Sequence, residues 1–555
     1  MLPRLILVLL ICFSPTLWAQ DSLEKLAADF WIWRAQHQPF NGDDIPRIER
    51  SAGLKRSWSA ARVAQQRMAL AALEKRWKGL HADGWPVPRQ VDYRLIGSAI
   101  ARVHWELDFN RLWQRDPMFY LDQTLTPVLE TLLPPPPFDE TRSQELLSRF
   151  RNIPSILEEA KANLHEPTAP FTKLAIDSLA NIRPELQVVA HDVAPILAGD
   201  SGKDLGAAVE QATLALESFR AWLERQPSST QPTAVGREAY TYFLRNVAVL
   251  PFTPEQLLEI SRQEWARSVV LEQLEQQRNR NVPALRMFAN SSEQIRETGE
   301  MEAQVRRFLV EQGILTVPAE FPHYTVRQLP AYLALGNFAE LDDFTGPSRL
   351  KQDSVRWIQE PSDKLGYFAN ATARDPRPLI VHEGVPGHYM QLWLSWRNPD
   401  PIRRHYYDSG ANEGLGFYAE EMMLRAGLFE DSPHTREIIC NFMRLRALRV
   451  EVDVKLALGK FTIGQAADYL ARMVPLDSKT AQSEAASFAR QPGQAISYQI
   501  GKTQIIRFLA DARRRGGDKF DIRAFNDFAW KNGNVPIELQ RWEWFGGPSE
   551  VSSLK

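Results

Sequence analysis

Cysteine is almost missing from this chain: Cys12 and Cys440 are the only two in 555 residues. Cys12 falls in an N-terminal apolar run that reads as removable. What remains cannot form an intrachain disulfide, so a secreted chain of this size must be held by its core. Long apolar runs are missing as well. No later stretch reaches the ~18 consecutive apolar residues of a membrane span, which argues against stable membrane insertion. An excess of one charge is a third absence: 66 Lys and Arg face 68 Asp and Glu, a formal net charge of −2, with a pI near 6.6. That balance argues against nucleic acid as a partner. The basic cluster Arg513-Arg514-Arg515 is single, short and followed by Gly516, the pattern of a solvated helix end. Histidine is sparse too, 10 residues in all, which gives weight to a place where two stand together.

Residues 1 to about 19 have the pattern of a cleavable export signal. Arg4 starts it, Leu5 to Phe13 are apolar, Ser14 and Pro15 follow, and Ala19 offers a small residue for cleavage. The expected location is therefore periplasmic or secreted. Ile11, beside Cys12, is bulkier than a lipid-attachment signal favours, so no lipid anchor is expected.

From about Asp21 to Leu133 apolar residues recur three and four apart, as at Leu70, Leu73 and Trp77 and at Ile96, Ile100 and Val103, which predicts helices. Trp31, Trp33, Trp58, Trp77 and Trp85 are assigned to the core. The run Pro134 to Pro137 reads as a rigid connector between helical segments. Long helices resume from about Arg142 to Gln226, with Pro154, Pro184 and Pro195 expected near their ends. Thr253-Pro254-Glu255-Gln256 combines an N-cap, a proline at the first helical position and an acidic first turn, opening a helix to about Gln277. No internal repeat is evident. From about Thr325 to Asn370 the texture changes, and short apolar stretches such as Tyr332 to Leu335 and Tyr367 to Ala369 suggest strands among loops. Such a sheet could offer an edge to a peptide, or could simply cap the helical core.

The densest chemistry is at His382-Glu383-Gly384-Val385-Pro386-Gly387-His388. Two imidazoles can ligate a divalent metal, and a carboxylate beside them can take a proton from water. Zinc helices commonly space their histidines four apart; here the gap is six. In an unbroken helix the second imidazole would point roughly 240° away from the first. Pro386, without an amide hydrogen, and Gly387, free to turn, predict a local break that returns both rings to one side. A zinc site needs a third protein ligand. Glu413, the first acidic residue downstream in an apolar helical setting, is the candidate. Glu420, one heptad on, is placed behind a ligand histidine. Glu421 is read as an exposed acidic turn, and His405 as a poor rival between cationic neighbours.

These stretches resemble the bacterial DUF885 proteins, a family similar to gluzincin-type zinc peptidases. The resemblance rests on HEGVPGH at 382–388 with Gln391, EGLGFYAE at 413–420 and QPGQAISYQIG at 491–501. Weaker echoes lie at Ile153-Pro154, at Gly236 with Tyr240, and at Arg449 to Asp453. The resemblance implies a mostly helical fold with a metal-bearing cleft, His382, His388 and Glu413 as ligands, and Glu383 as the catalytic carboxylate. Two departures stand out. Leu415 replaces a tryptophan, and no histidine follows Asp453, so Arg449 and Asp453 are equally readable as a buried salt bridge. Amide hydrolysis builds an oxyanion that needs a donor, which Tyr498 could supply from a helix opened by Pro492-Gly493, with Gln494 one turn earlier on the same face. Gln494 and Tyr367 are the candidate substrate contacts.

The expected architecture is mainly α: a large helical body with a deep metal-bearing cleft and a small β-sheet next to the metal helix. After the signal at 1–19, an N-terminal helical region (20–324) and a catalytic region (325–555) are expected to form one body. The expected activity is a zinc-dependent peptidase using one ion. Hydrolysis of another amide or ester, and a secreted binding protein that keeps the fold without chemistry, are the alternatives.

Overall fold

Helix boundaries follow the capping chemistry of the sequence. Thr253 and Gln256 form a reciprocal capping box, with Pro254 at the first position, and open a helix spanning Pro254–Asn279. Asp139 caps Glu140–Asn163, Asp408 caps Ser409–Ala426 and Asp477 caps Ser478–Arg490, each accepting from a backbone amide in the first turn. The computed structural model describes residues 15–40, 48–227, 229–335 and 340–547. Over that range the protein is mainly α with one small sheet. Most of the expected export signal lies outside the described residues; the first helix spans Pro15–His37. Among the described residues no helix is long and apolar enough to cross a membrane.

The four prolines at 134–137 connect the helices Pro117–Leu132 and Glu140–Asn163. Arg142 ties the connector down, donating to the carbonyls of Thr131 (2.8 Å), Leu132, Pro134, Pro135 and Pro137. Pro154 is not at a helix end, as its residue type suggested, but inside Glu140–Asn163, where the buried stripe of Phe150, Ile153 and Leu157 carries the helix through it. Trp31, Trp58 and Trp85 are buried, and Trp33 and Trp77 pack against the same cluster.

The sheet has the order β1-β3-β2, with β1 at Tyr324–Gln328, β2 at Glu340–Asp343 and β3 at Ser354–Ile358. β1 pairs with β3 in parallel, Thr325 opposite Val355, and β2 pairs with β3 antiparallel, Asp342 opposite Arg356. Two apolar runs expected to be strands are not. Residues 331–333 form a 3₁₀ turn, and Tyr367–Thr372 is a short helix. Runs of four or fewer apolar residues fit either geometry, and their turn-rich flanks left them without a ladder partner.

The regions before and after residue 324 are packed together. Pro254–Asn279 lies along Pro433–Ala457, Val87–His104 meets Ile537–Phe545, and Pro15–His37 meets Pro401–His405. All four apolar clusters among the described residues draw on both sides of that boundary; one joins Tyr240, Phe243 and Leu257 to Val450, Val454 and Ile500.

Candidate metal centre

The chain approaches the histidine motif as a wide turn over Ile380–Gly384, with the Val385 amide donating to the Ile380 carbonyl at 2.8 Å. Val385 is extended, at φ −128° and ψ 121°, and a new helix spans His388–Trp396. The helix is thus broken where Pro386 and Gly387 stand. Gly387 passes so close to the preceding turn that a Cβ there would lie 1.8 Å from the His382 carbonyl oxygen. Trp530 pins the break by donating from its indole to the Pro386 carbonyl at 2.6 Å. As a result the two imidazoles face each other, ring centroids 4.7 Å apart and planes at 75°.

Glu413 reaches the same point from Ser409–Ala426, a helix buried along most of its length. That helix crosses the Ser497–Gly516 helix with Gly414 and Gly501 in backbone contact: a Cβ on Gly414 would lie 2.6 Å from the Gly501 Cα. The motifs at 413–420 and 491–501 therefore meet in space. Glu413 Oε2 is 3.4 Å from His382 Nε2 and 3.2 Å from His388 Nε2, and Glu383 Oε2 is 4.0 Å from His388 Nε2. Burial pushes the Glu413 carboxyl up, but the two imidazoles outweigh it and hold Glu413 well below the usual carboxylate range. Burial lowers His382, yet Glu413 and Glu420 more than compensate and raise it to about 9.

Those ligand atoms fit a metal. One atom each from His382, His388 and Glu413 lies within 4.8 Å of the others. Two donors ~2.0–2.1 Å from one tetrahedral zinc ion stand ~3.3 Å apart, close to both carboxylate–imidazole separations here. Behind them Glu420, 1% exposed, lies 2.6 Å from His382 Nδ1 and 3.1 Å from the Arg446 guanidinium. These are ion-pair distances with poor hydrogen-bond angles. His388 Nδ1 has no hydrogen-bond partner among the described residues.

A cavity of about 340 Å³ opens onto the cluster. His382, Glu383, Tyr498, Tyr367, Arg446 and Arg449 are among its walls. The Tyr498 ring lies nearly parallel to that of His382, centroids 6.3 Å apart. Burial, then the charge of Glu413, pushes the Tyr498 phenol well above its ordinary range, so it remains a proton donor. The Tyr367 hydroxyl donates to Asn441.

Gln494 stands elsewhere than expected. The helix begins at Ser497, so Gln494 lies in the turn before it and lines a separate cavity of about 70 Å³ with Trp105, Phe243 and Pro492. The reason is Asp453, whose carboxylate accepts from the amides of Gly493 and Ala495 at 2.9 Å each and from the Tyr240 hydroxyl at 3.0 Å, holding 491–496 as a turn. Asp453 and Arg449 are accordingly not paired with each other; Arg449 pairs with Glu484. Glu421 is not an exposed turn but a buried partner of Arg267 at 2.8 Å and of the fully buried Lys502 at 3.0 Å. His405 packs near Trp31, apart from the cluster. Sequence reasoning missed Arg446 and Glu484. Arg446 stands in a helix that also carries Arg436, Arg444 and Lys455, so its spacing from Arg449 alone did not single it out.

Comparison with known proteins adds the following. The profile of a family described as "Bacterial protein of unknown function (DUF885)" matches residues 43–542. A solved structure from Shewanella oneidensis, described as a candidate lipoprotein of unknown function, superposes with a TM-score of 0.69 at 17% identity, covering 96% of this chain and 100% of that one. A crystal structure of a candidate lipoprotein from Colwellia psychrerythraea gives 0.73 at 17% identity, covering 96% and 99%. No curated protein matches the sequence.

Proposed function

The chain belongs to the DUF885 family, and we propose that this member is a zinc-dependent peptidase whose ion is held by His382, His388 and Glu413. The observation that carries this is the spacing of those three ligand atoms, with the Glu383 carboxylate beside them at the wall of a cavity. A bound zinc ion supplies Lewis acidity, lowering the pKa of a water and polarising a carbonyl. Glu383 accepts the proton of the attacking water and returns it to the departing amide nitrogen. Tyr498 donates its phenolic hydrogen to the oxygen on which negative charge develops. Glu420 holds His382 Nδ1, turning Nε2 toward the cluster.

Two features favour a peptide over another acyl substrate. β2 is an edge strand of the sheet, the kind of element to which an extended peptide adds by backbone pairing. It leads directly into Phe344, whose ring meets the edge of the His388 ring at 6.2 Å. The export signal read from the first 19 residues, together with the candidate lipoproteins of the same fold, supports a site of action outside the cytoplasm.

The test is metal analysis combined with Glu383→Gln. The variant is expected to keep its zinc and lose at least ~100-fold in peptide hydrolysis. Full activity with zinc retained removes Glu383 from the role. A peptide-library digest showing no cleavage, beside turnover of simple esters, replaces the peptidase reading with that of a different hydrolase.

A further inference from the structure

The cavity in front of the metal cluster is lined by more positive charge than the hydrolytic chemistry uses. Arg446 and Arg449 stand one turn apart on Pro433–Ala457, and both line the cavity together with His382, Glu383 and Tyr498. They are deeply buried, 5% and 6% exposed. Each guanidinium has one carboxylate partner and is not saturated by it. Arg449 engages Glu484 through Nε and Nη2, and its Nη1 makes no hydrogen bond among the described residues. Arg446 faces Glu420 through Nη2 and lies over the rings of Phe417 and Phe442, while its Nε and Nη1 make no hydrogen bond among the described residues. A buried guanidinium with spare donors is costly to keep, and an anion that visits the site relieves that cost. The planar fork of arginine matches a carboxylate in particular.

Location selects Arg449 as the anchor. Its guanidinium lies 4.7 Å from the centroid of the Tyr498 ring, against 5.7 Å for Arg446. Tyr498 lies beside the His382 ring, centroids 6.3 Å apart, and Arg449 lines the same cavity as His382 and Glu383, which puts both beside the metal cluster. The cavity, about 340 Å³, is at the small end of the ~300–1,000 Å³ range of ligand sites, which leaves room for a short segment beyond the reacting carbonyl. A peptide whose scissile carbonyl sits at the cluster would put its next few atoms against Arg449.

We propose that Arg449, assisted by Arg446, binds the free C-terminal carboxylate of the substrate, so that the enzyme removes residues from the carboxyl end of short peptides. This inference rests on the peptidase reading and adds the end from which the peptide is cut. Arg449 is a substrate anchor in it, while Glu484 on its far side holds the guanidinium in place. An acidic side chain near the scissile bond offers the same chemistry as a terminal carboxylate, and the test separates the two.

Three N-acetylated peptides serve as probes: a free acid, its C-terminal amide, and that amide with glutamate in place of the last residue. Hydrolysis is measured with the native protein, and binding with the Glu383→Gln protein, which needs no turnover. The free acid is expected to be preferred over both amides by roughly 10- to 100-fold in kcat/KM and in affinity, the size of one charge-assisted hydrogen bond. Arg449→Gln is expected to raise KM for the acid by a similar factor and to erase the preference. Arg449→Lys, which keeps the charge in case the first variant does not fold, should retain part of it. Equal handling of acid and amide, a preference that survives Arg449→Gln, or a glutamate amide that replaces the free acid overturns the proposal. A fall in rate on acid and amide alike would leave Arg449 as a prop for Tyr498 and equally overturn it. Binding that discriminates without any cleavage keeps the carboxylate site and rejects the peptidase; cleavage without discrimination does the reverse.

Discussion

At Glu420 a single buried carboxylate serves two neighbours, His382 Nδ1 at 2.6 Å and Arg446 at 3.1 Å. Burial opposes its ionisation, yet Arg446 and His382 hold its carboxyl below the usual range. Glu420→Gln keeps the shape and removes the charge that orients His382. Metal affinity is expected to drop by about 10- to 100-fold with the ion count at saturation unchanged, as read by chelator competition. Affinity equal to the wild type would mean that packing alone orients the ring. Glu420 was legible because a heptad offset from Glu413 repeats the same helix face. Arg446 was not legible in that way. Its helix also carries Arg436, Arg444 and Lys455, and a sequence does not say which cation turns inward when neighbouring elements decide it. Glu421 shows the same limit, since Lys502, its buried partner, lies in another helix.

The elements around the motif were legible where local chemistry dictates them and illegible where pairing does. The six-residue histidine spacing requires a helix break, and Pro386-Gly387 could supply one; the break is there. By contrast β2, with the sequence ELDD, has no apolar alternation and is a strand only because β3 supplies its ladder. Gly387 allows a direct check. A methyl group at this position would sit 1.8 Å from the His382 carbonyl oxygen, an overlap with backbone that no rotamer relieves. Gly387→Ala is therefore expected to cost about 3–5 kcal/mol, the upper range for one substitution, and to abolish stoichiometric metal binding. Urea unfolding with metal analysis tests both parts. A variant with the wild-type midpoint and a full complement of metal would show that the close approach is not required.

At the scale of the whole molecule, the change of sequence texture near residue 324 does not mark a seam between separately packed bodies. Periodicity shows that a helix has an apolar face but not which partner covers it, so the long-range ties had to come from the structure. Arg403 reaches Asp92 and Glu543, each at 2.9 Å, and Tyr406 meets Ser98 at 2.7 Å. The most exacting tie is Arg490, which lies 2.6 Å from the fully buried Asp116 and 2.5 Å from Asp122, at the threshold of the turn that leads to Tyr498. Burial raises the Asp122 carboxyl to about 6 even with the guanidinium opposing it. Arg490→Met removes the only cation bonded to these two carboxylates among the described residues and is expected to destabilise the protein by about 3–5 kcal/mol. The companion variant Arg490→Met with Asp116→Asn and Asp122→Asn has no stranded charge and should recover most of that loss. Urea unfolding measures both, and because the shared apolar clusters and the Arg403 and Tyr406 contacts still join the early and late parts of the chain, the transition should stay single with an unchanged slope. A second transition in Arg490→Met would instead mean that the two parts unfold separately once this tie is cut.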